Sequence, residues 1–235
     1  MVLSNDPAGV RAQYANEARL STRSSVWRGT RDGRQPQDVA ADAIARARPQ
    51  RLLEVGCGTG AFAERLATEN CNAVVVAIDR SPRLVELTAA RGIDAHVADV
   101  MALPFADAGF DVVVAMWMLY HVADLHQGLA EIRRVLRPNG ALVAATNGDE
   151  HLTELLTEAG GAPLITQFST ENGSEALHRH FDHVSQTELA TQAVFCDHAQ
   201  ASAYLATFDD TLAASLPHFD GPREYAGATS VFVAR

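Results

Sequence analysis

No stretch of this sequence is apolar for long enough to cross a bilayer: hydrophobic residues make up 47% of the 235, but in short or interrupted runs. A soluble protein is expected. The first residues, Met1-Val2-Leu3-Ser4-Asn5-Asp6, lack the basic region and apolar stretch of a secretory leader. Cysteine is scarce, and Cys57, Cys71 and Cys196 are odd in number and widely spaced, which speaks for a reducing, cytoplasmic compartment. Positive charge is short as well. A formal net charge of −10 repels a polyphosphate at long range, and no strongly basic patch offsets it. The densest basic stretch, Arg19 to Arg34, holds five arginines but no lysine run, and reads as a solvated segment near a site entrance. Neither a nucleic-acid partner nor a membrane is expected. Repeats, low-complexity tracts and linkers are missing too, so residues 1–235 read as one domain.

What is present is an alternation of short β-branched runs with helical patterns between Arg51 and about Thr146, the pattern of an α/β fold with a parallel sheet and crossover helices. Arg51–Val55, Ala73–Ile78, Phe110–Ala115 and Ala141–Thr146 are continuous apolar runs, as strands covered on both faces should be. Asp94–Val97 is a weaker fifth. Gln37–Arg48 reads as a helix before the first strand. Ser81-Pro82 starts another helix as cap and first residue, and Arg91-Gly92 stops it. Leu125, Leu129, Ile132 and Leu136 share one helical face, and Arg137-Pro138-Asn139-Gly140 then reads as a turn. Further on, Gly173–Phe181 and Asp197–Phe208 look helical, and Val184–Phe195 and Ser230–Val233 are candidate strands.

The sharpest feature is LLEVGCGTGAFAERL, a buried strand running through Gly56-Cys57-Gly58-Thr59-Gly60 into a helix. Glycines there let the backbone turn tightly and approach a ligand. Gly56, Gly58 and Ala61 also satisfy the dinucleotide pattern G-x-G-x-x-G/A, with Asp79 about twenty residues on as a ribose-binding acid. Taken alone, the loop suits a dinucleotide as well as an amino-acid-bearing nucleoside. Glu54 shifts the balance, because a carboxylate two residues before the first glycine repels a pyrophosphate but suits a ligand's ammonium. No Tyr-x-x-x-Lys or other hydride-transfer constellation accompanies the loop.

Taken together, these segments resemble the class I S-adenosylmethionine-dependent methyltransferases, among them ubiquinone/menaquinone-type and actinobacterial small-molecule enzymes, over Arg51 to Asn147. The resemblance implies a Rossmann-like, seven-stranded, mostly parallel sheet with an antiparallel last strand, helices on both faces and added helices as a lid. It implies that Glu54, Gly56, Cys57, Gly58 and Gly60 hold the methionine part of S-adenosylmethionine. Asp79, followed by Arg80 in AIDRSP, would bind both ribose hydroxyls. Asp99 would receive the adenine amino group, with Val100 and Met101 beside the ring. Ala115 and Met116 would border the methyl-transfer site, and Tyr14, Arg19 and Trp27 fall in a segment similar to an N-terminal lid. The same residues also suit an amphipathic helix covering a sheet face. The implied division is 1–36 as lid, 37–148 as cofactor-binding core and 149–235 as acceptor side.

The implied activity is methyl transfer to oxygen, nitrogen or carbon of a small-molecule acceptor, in secondary metabolism. A non-catalytic S-adenosylmethionine-binding protein, a protein or RNA methyltransferase and an NAD enzyme remain as alternatives. Because the sulfonium is already activated, alignment provides most of the acceleration, and a base serves only an acceptor that must lose a proton. Tyr120 and His121, just past the fourth strand, are the candidate catalytic pair, His121 as general base or orienting group. Thr146-Asn147-Gly148 and Phe168 to Gly173 are further candidates for the acceptor pocket. His178, His180, Asp182 and His183 match no zinc ligand spacing, so no metal is expected. Cys57 reads as an inert, buried thiol.

Overall fold

The computed structural model describes residues 22–235, so Tyr14 and Arg19 lie outside the described residues. Strands β2 (Arg51–Val55), β3 (Val74–Asp79), β4 (Asp94–Val97), β5 (Phe110–Met116) and β6 (Leu136–Asn147) pair in parallel. β8 (Arg223–Ala234) runs antiparallel to β6, and β7 (Val184–Phe195) is antiparallel to β8. A two-residue strand, β1 (Trp27–Arg28), adds to the outer edge of β7, giving the order β1-β7-β8-β6-β5-β2-β3-β4. The sheet therefore has eight strands against the seven expected. β1 is too short to carry a hydrophobic period, which is why the sequence does not announce it.

Helices α1 (Pro36–Ala47), α2 (Ala61–Glu69), α3 (Pro82–Ala90) and α4 (Leu125–Val135) cover the two faces of the parallel half. Their ends follow the expected chemistry. Ser81 Oγ accepts the Leu84 N–H at 3.4 Å with Pro82 at the first helical position, and Gly92 takes φ 81° beyond the stop. Asp124 caps α4 by accepting the Gln127 N–H at 3.0 Å, and Leu129, Ile132 and Val135 on its inner face are fully buried. Removing a side chain such as Ile132 costs roughly 2–5 kcal/mol by lost burial and the cavity left behind.

The two-residue period of the strands sorts side chains between the faces. Leu53, Val55, Val113 and Ala115 pack under α4, while Leu52, Val112 and Val114 pack under α1 and α2. The turn expected at Arg137–Gly140 is drawn into β6 as an irregularity: Asn139 has φ 67°, and the pairing with β5 slips between Phe110 and Val112. α5 (Thr153–Glu158), α6 (Gly173–His178), α7 (His198–Leu205) and α8 (Asp210–Ser215) follow. A third apolar cluster, with Phe195, Tyr204, Leu205, Phe219 and Tyr225, joins α7 and the outer ends of β7 and β8.

Candidate active site

β2 stops at Val55 because the chain then needs left-handed backbone three times, at Gly56 (φ 69°), Gly58 (φ 55°) and Gly60 (φ 77°). The three glycines have different reasons. A Cβ on Gly56 would lie 2.8 Å from Met118 Cβ, and one on Gly60 2.8 Å from Thr88 Cα, whereas one on Gly58 would meet nothing within 4 Å. Gly56 and Gly60 are thus fixed by protein packing, and Gly58 presents bare backbone to open space. That space is a cleft of about 1490 Å³ along the carboxyl ends of the parallel strands, where open α/β sheets bind ligands.

Glu54 lines this cleft at 2% exposure, and its Oε2 has no hydrogen-bond partner. Burial, then the nearby Asp79 carboxylate, pushes its pKa up to about 8, against the opposing pull of the Ala63 N–H. Asp79 closes β3. Its Oδ2 accepts the Gly58 N–H at 3.0 Å and its Oδ1 the Ser81 N–H at 2.9 Å, so one carboxylate ties the glycine loop to the start of α3. Burial raises its pKa, and these backbone donors oppose the rise. Asp99 accepts the Met101 N–H at 2.9 Å and faces Arg80 Nε at 3.5 Å. The Val100 N–H beside it has no partner among the described residues. Arg134 braces this turn from below, donating to the Leu103 and Phe105 carbonyls at 2.9 and 2.7 Å.

At the other end, β5 is followed by Trp117, held at φ 51°, an uncommon conformation for a residue with a side chain. Its Nε1 donates to Asn147 Oδ1 at 2.9 Å, across from the end of β6. Tyr120 and His121 follow in a 3₁₀ turn (Leu119–His121), edge to face with ring centroids 4.5 Å apart, and both line the cleft. Beyond them Leu152, Leu156, Leu164, Tyr204, Leu205 and Phe208 make this end mostly apolar.

Residues 53–144 match the family model described as "Methyltransferase domain". This segment, which carries the glycine loop, Asp79 and Asp99, is similar to class I S-adenosylmethionine-dependent methyltransferases. Over 100 residues the chain is 42% identical to 27-O-demethylrifamycin SV methyltransferase of Amycolatopsis mediterranei, covering 39% of this chain and 36% of that one. Over 111 residues it is 37% identical to demethylmenaquinone methyltransferase of Deinococcus radiodurans, covering 45% and 46%. The match spans less than half the length of either relative. In fold it is similar to the [4+2]-cyclase SpnF, with TM-score 0.63 and 20% identity, over 96% of this chain and 92% of that one.

Within the matched segment, Glu54, Gly56, Cys57, Gly58, Asp79, Arg80, Asp99, Val100, Met101 and Met116 all border the cleft. Ala115 does not. The strand's alternation turns it into the core under α4, and only Met116 of that pair faces the cleft. Gly60 also stands behind the cleft wall, against Thr88. Cys57 is buried, 3.4 Å from Thr88 Oγ1, and burial pushes its thiol up to about 12, so it is a poor nucleophile. Among the acceptor candidates, Asn147 lines the cleft, but Thr146 bonds the Phe168 carbonyl and Phe168 itself is fully buried against Phe232. The stretch from Phe168 to Gly173 supports β6 and β8 and makes no wall. Sequence reasoning missed His151, Thr191, Tyr204 and Thr229, which reach the cleft from β7, β8 and helical connections.

The residues present fit S-adenosylmethionine. Oε2 of Glu54 is a buried acceptor without a donor, Gly58 offers backbone without a Cβ, and Asp99 beside the Val100 N–H pairs an acceptor with a donor. Among the described residues no helix is long and apolar enough to cross a membrane, and no group of three or more His, Cys, Asp or Glu side chains is placed to hold a metal.

Proposed function

We propose that this chain transfers the methyl group of S-adenosylmethionine to a small-molecule acceptor. The observation that carries the reading is Glu54 Oε2, buried without a partner in a cleft whose other end is apolar. Glu54 would face the ammonium of the methionine part, Asp79 the ribose hydroxyls, and Asp99 with the Val100 N–H the adenine edge. Bound there, the cofactor would supply an electrophilic methyl carbon. The chain's part is to hold it and to bring the acceptor past Met116 and Trp117 in line with it, which provides most of the acceleration. Tyr120 and His121 would form a wall on which the acceptor rests. In this reading residues 37–148 hold the cofactor and residues 149–235 shape the acceptor end, in a soluble, cytoplasmic enzyme of secondary metabolism.

The similarity in fold to the [4+2]-cyclase SpnF supports a second reading: that the chain binds the cofactor and acts on its ligand without methyl transfer. Calorimetry and native mass spectrometry test both. S-adenosylhomocysteine should bind in the low-micromolar range or tighter, and NAD far more weakly. NAD binding more tightly would end the methyltransferase reading. Retained cofactor without methylated product across a panel of candidate acceptors would favour the second.

A further inference from the structure

His151 carries no recognisable motif, yet it is a firmly held polar group at the apolar end of the cleft. It is 8% exposed, stacked on Trp27 with ring centroids 4.7 Å apart, and its Nδ1 lies 2.9 Å from the Ala228 carbonyl oxygen. A carbonyl only accepts, so Nδ1 carries the proton and Nε2 the lone pair. Burial holds the imidazole neutral, with its pKa lowered to about 4. No donor among the described residues reaches Nε2.

Asn147 lines the same cleft. Its Oδ1 accepts from Trp117 Nε1 at 2.9 Å and from Thr229 Oγ1 at 3.3 Å, so the amide cannot turn over, and its Nδ2 donors have no partner among the described residues. The two side chains are anchored to consecutive residues of β8, Ala228 and Thr229. Thr191, on the same wall, has a buried hydroxyl without a partner. From β1, β6, β7, β8 and the helices after them no carboxylate side chain lines the cleft, so among the described residues a cationic amine finds no counter-charge at this end.

We propose that His151 and Asn147 grip a hydroxyl group on an uncharged, largely apolar acceptor, Nε2 accepting its proton while Nδ2 donates to its oxygen. This rests on the methyl-transfer reading and makes the reaction an O-methylation. As the oxygen lone pair forms the new O–CH₃ bond, the carbon–sulfur pair stays on sulfur. The O–H bond breaks, its electrons stay on oxygen, and the proton passes to Nε2 and then to water. An alkylated hydroxyl is a far stronger acid than an imidazolium, so even a weakly basic imidazole takes that proton.

The test uses the full chain, ¹⁵N-labelled at histidine and saturated with S-adenosylhomocysteine, with 1-naphthol and 1-methoxynaphthalene as probes. The wild-type spectrum at pH 7 should show His151 protonated on Nδ1, with Nε2 shifting on addition of 1-naphthol and not of its methyl ether. His151→Gln and Asn147→Leu should each abolish at least tenfold of the preference for the hydroxyl probe and leave S-adenosylhomocysteine affinity within twofold. A proton on Nε2, an equal response to both probes or no response to either overturns the proposal. If S-adenosylhomocysteine fails to bind while the hydroxyl preference persists in the free protein, the methyl-transfer reading falls and the hydroxyl site stands.

Discussion

Glu54 makes cofactor binding a proton-coupled event. With its pKa at about 8 in the free protein, the side chain is roughly 97% protonated at pH 6.5, where a ligand α-amino group is still charged. An ammonium brought within about 4–6 Å lowers a carboxyl pKa by roughly 1–3 units, which takes Glu54 to between about 5 and 7. If the shift reaches the lower part of that range, binding at pH 6.5 releases close to one proton. Titrating S-adenosylhomocysteine in phosphate, imidazole and Tris should give apparent enthalpies that fall linearly as the buffer's ionisation enthalpy rises, with slope near minus one, because the buffer takes up the released proton. The slope should flatten towards zero by pH 9. Glu54→Gln removes the titrating group and keeps the shape, so the buffer dependence should vanish while the dissociation constant rises by roughly 10-fold to 100-fold, the worth of a charge-assisted bond. Buffer-independent enthalpy in the wild type, or an unchanged slope in Glu54→Gln, would refute the placement of an ammonium against this carboxylate.

Asp79→Ala should weaken S-adenosylhomocysteine binding by roughly 1–3 kcal/mol and also lower the melting temperature, because the Gly58 and Ser81 N–H groups lose their acceptor; calorimetry and thermal denaturation read the two effects separately. Gly60→Ala should be destabilising by more than the roughly 1 kcal/mol of a strained backbone alone, since its φ is 77° and the new Cβ would meet Thr88 Cα at 2.8 Å, and denaturant unfolding measures the loss. His151, with a folded pKa of about 4 against 6.5 unfolded, contributes stability that is present above pH 6.5 and lost as pH falls towards 4. Glu54, raised from 4.5 to about 8, acts in the opposite sense, with stability present below pH 4.5 and lost as pH rises through 8. Over their shared window the two slopes oppose, so the clean measurement is the wild type minus His151→Gln, a difference that should shrink by about 3 kcal/mol between pH 7.5 and pH 4.

The parallel half of the fold was legible because strands covered on both faces leave uninterrupted apolar runs; β2 begins and ends where the run RLLEV does. The glycine loop and its two following acids were legible because a left-handed turn and a ligand carboxylate each demand a residue type. β7 was read only faintly, since its sequence VSQTELATQAVF mixes exposed polar residues with buried ones, and the polar start of β8 at Arg223 went unread. The acceptor wall was illegible for a different reason. Thr191, Thr229 and His151 are distant in the chain and are brought to one cleft by the pairing of β7 with β8 and by the His151 bond to Ala228, so no local pattern marks them. Ala115 was misassigned because strand ends do not say which face turns towards the ligand.

β7 and β8 pair through twelve consecutive partners without a slip, yet the chain between them is a long connection carrying two helices. No tight turn therefore dictates their alignment; the packed side chains do. Adding or deleting one residue within either strand would turn that strand's inward side chains beyond the change, Thr191 or Thr229 among them, to the opposite face. Divergence of ligand preference along a lineage of such proteins should therefore proceed here by exchange of residues, position by position. Changes of length should collect instead in the connections after β6 and between β7 and β8, where the ladder is indifferent to them.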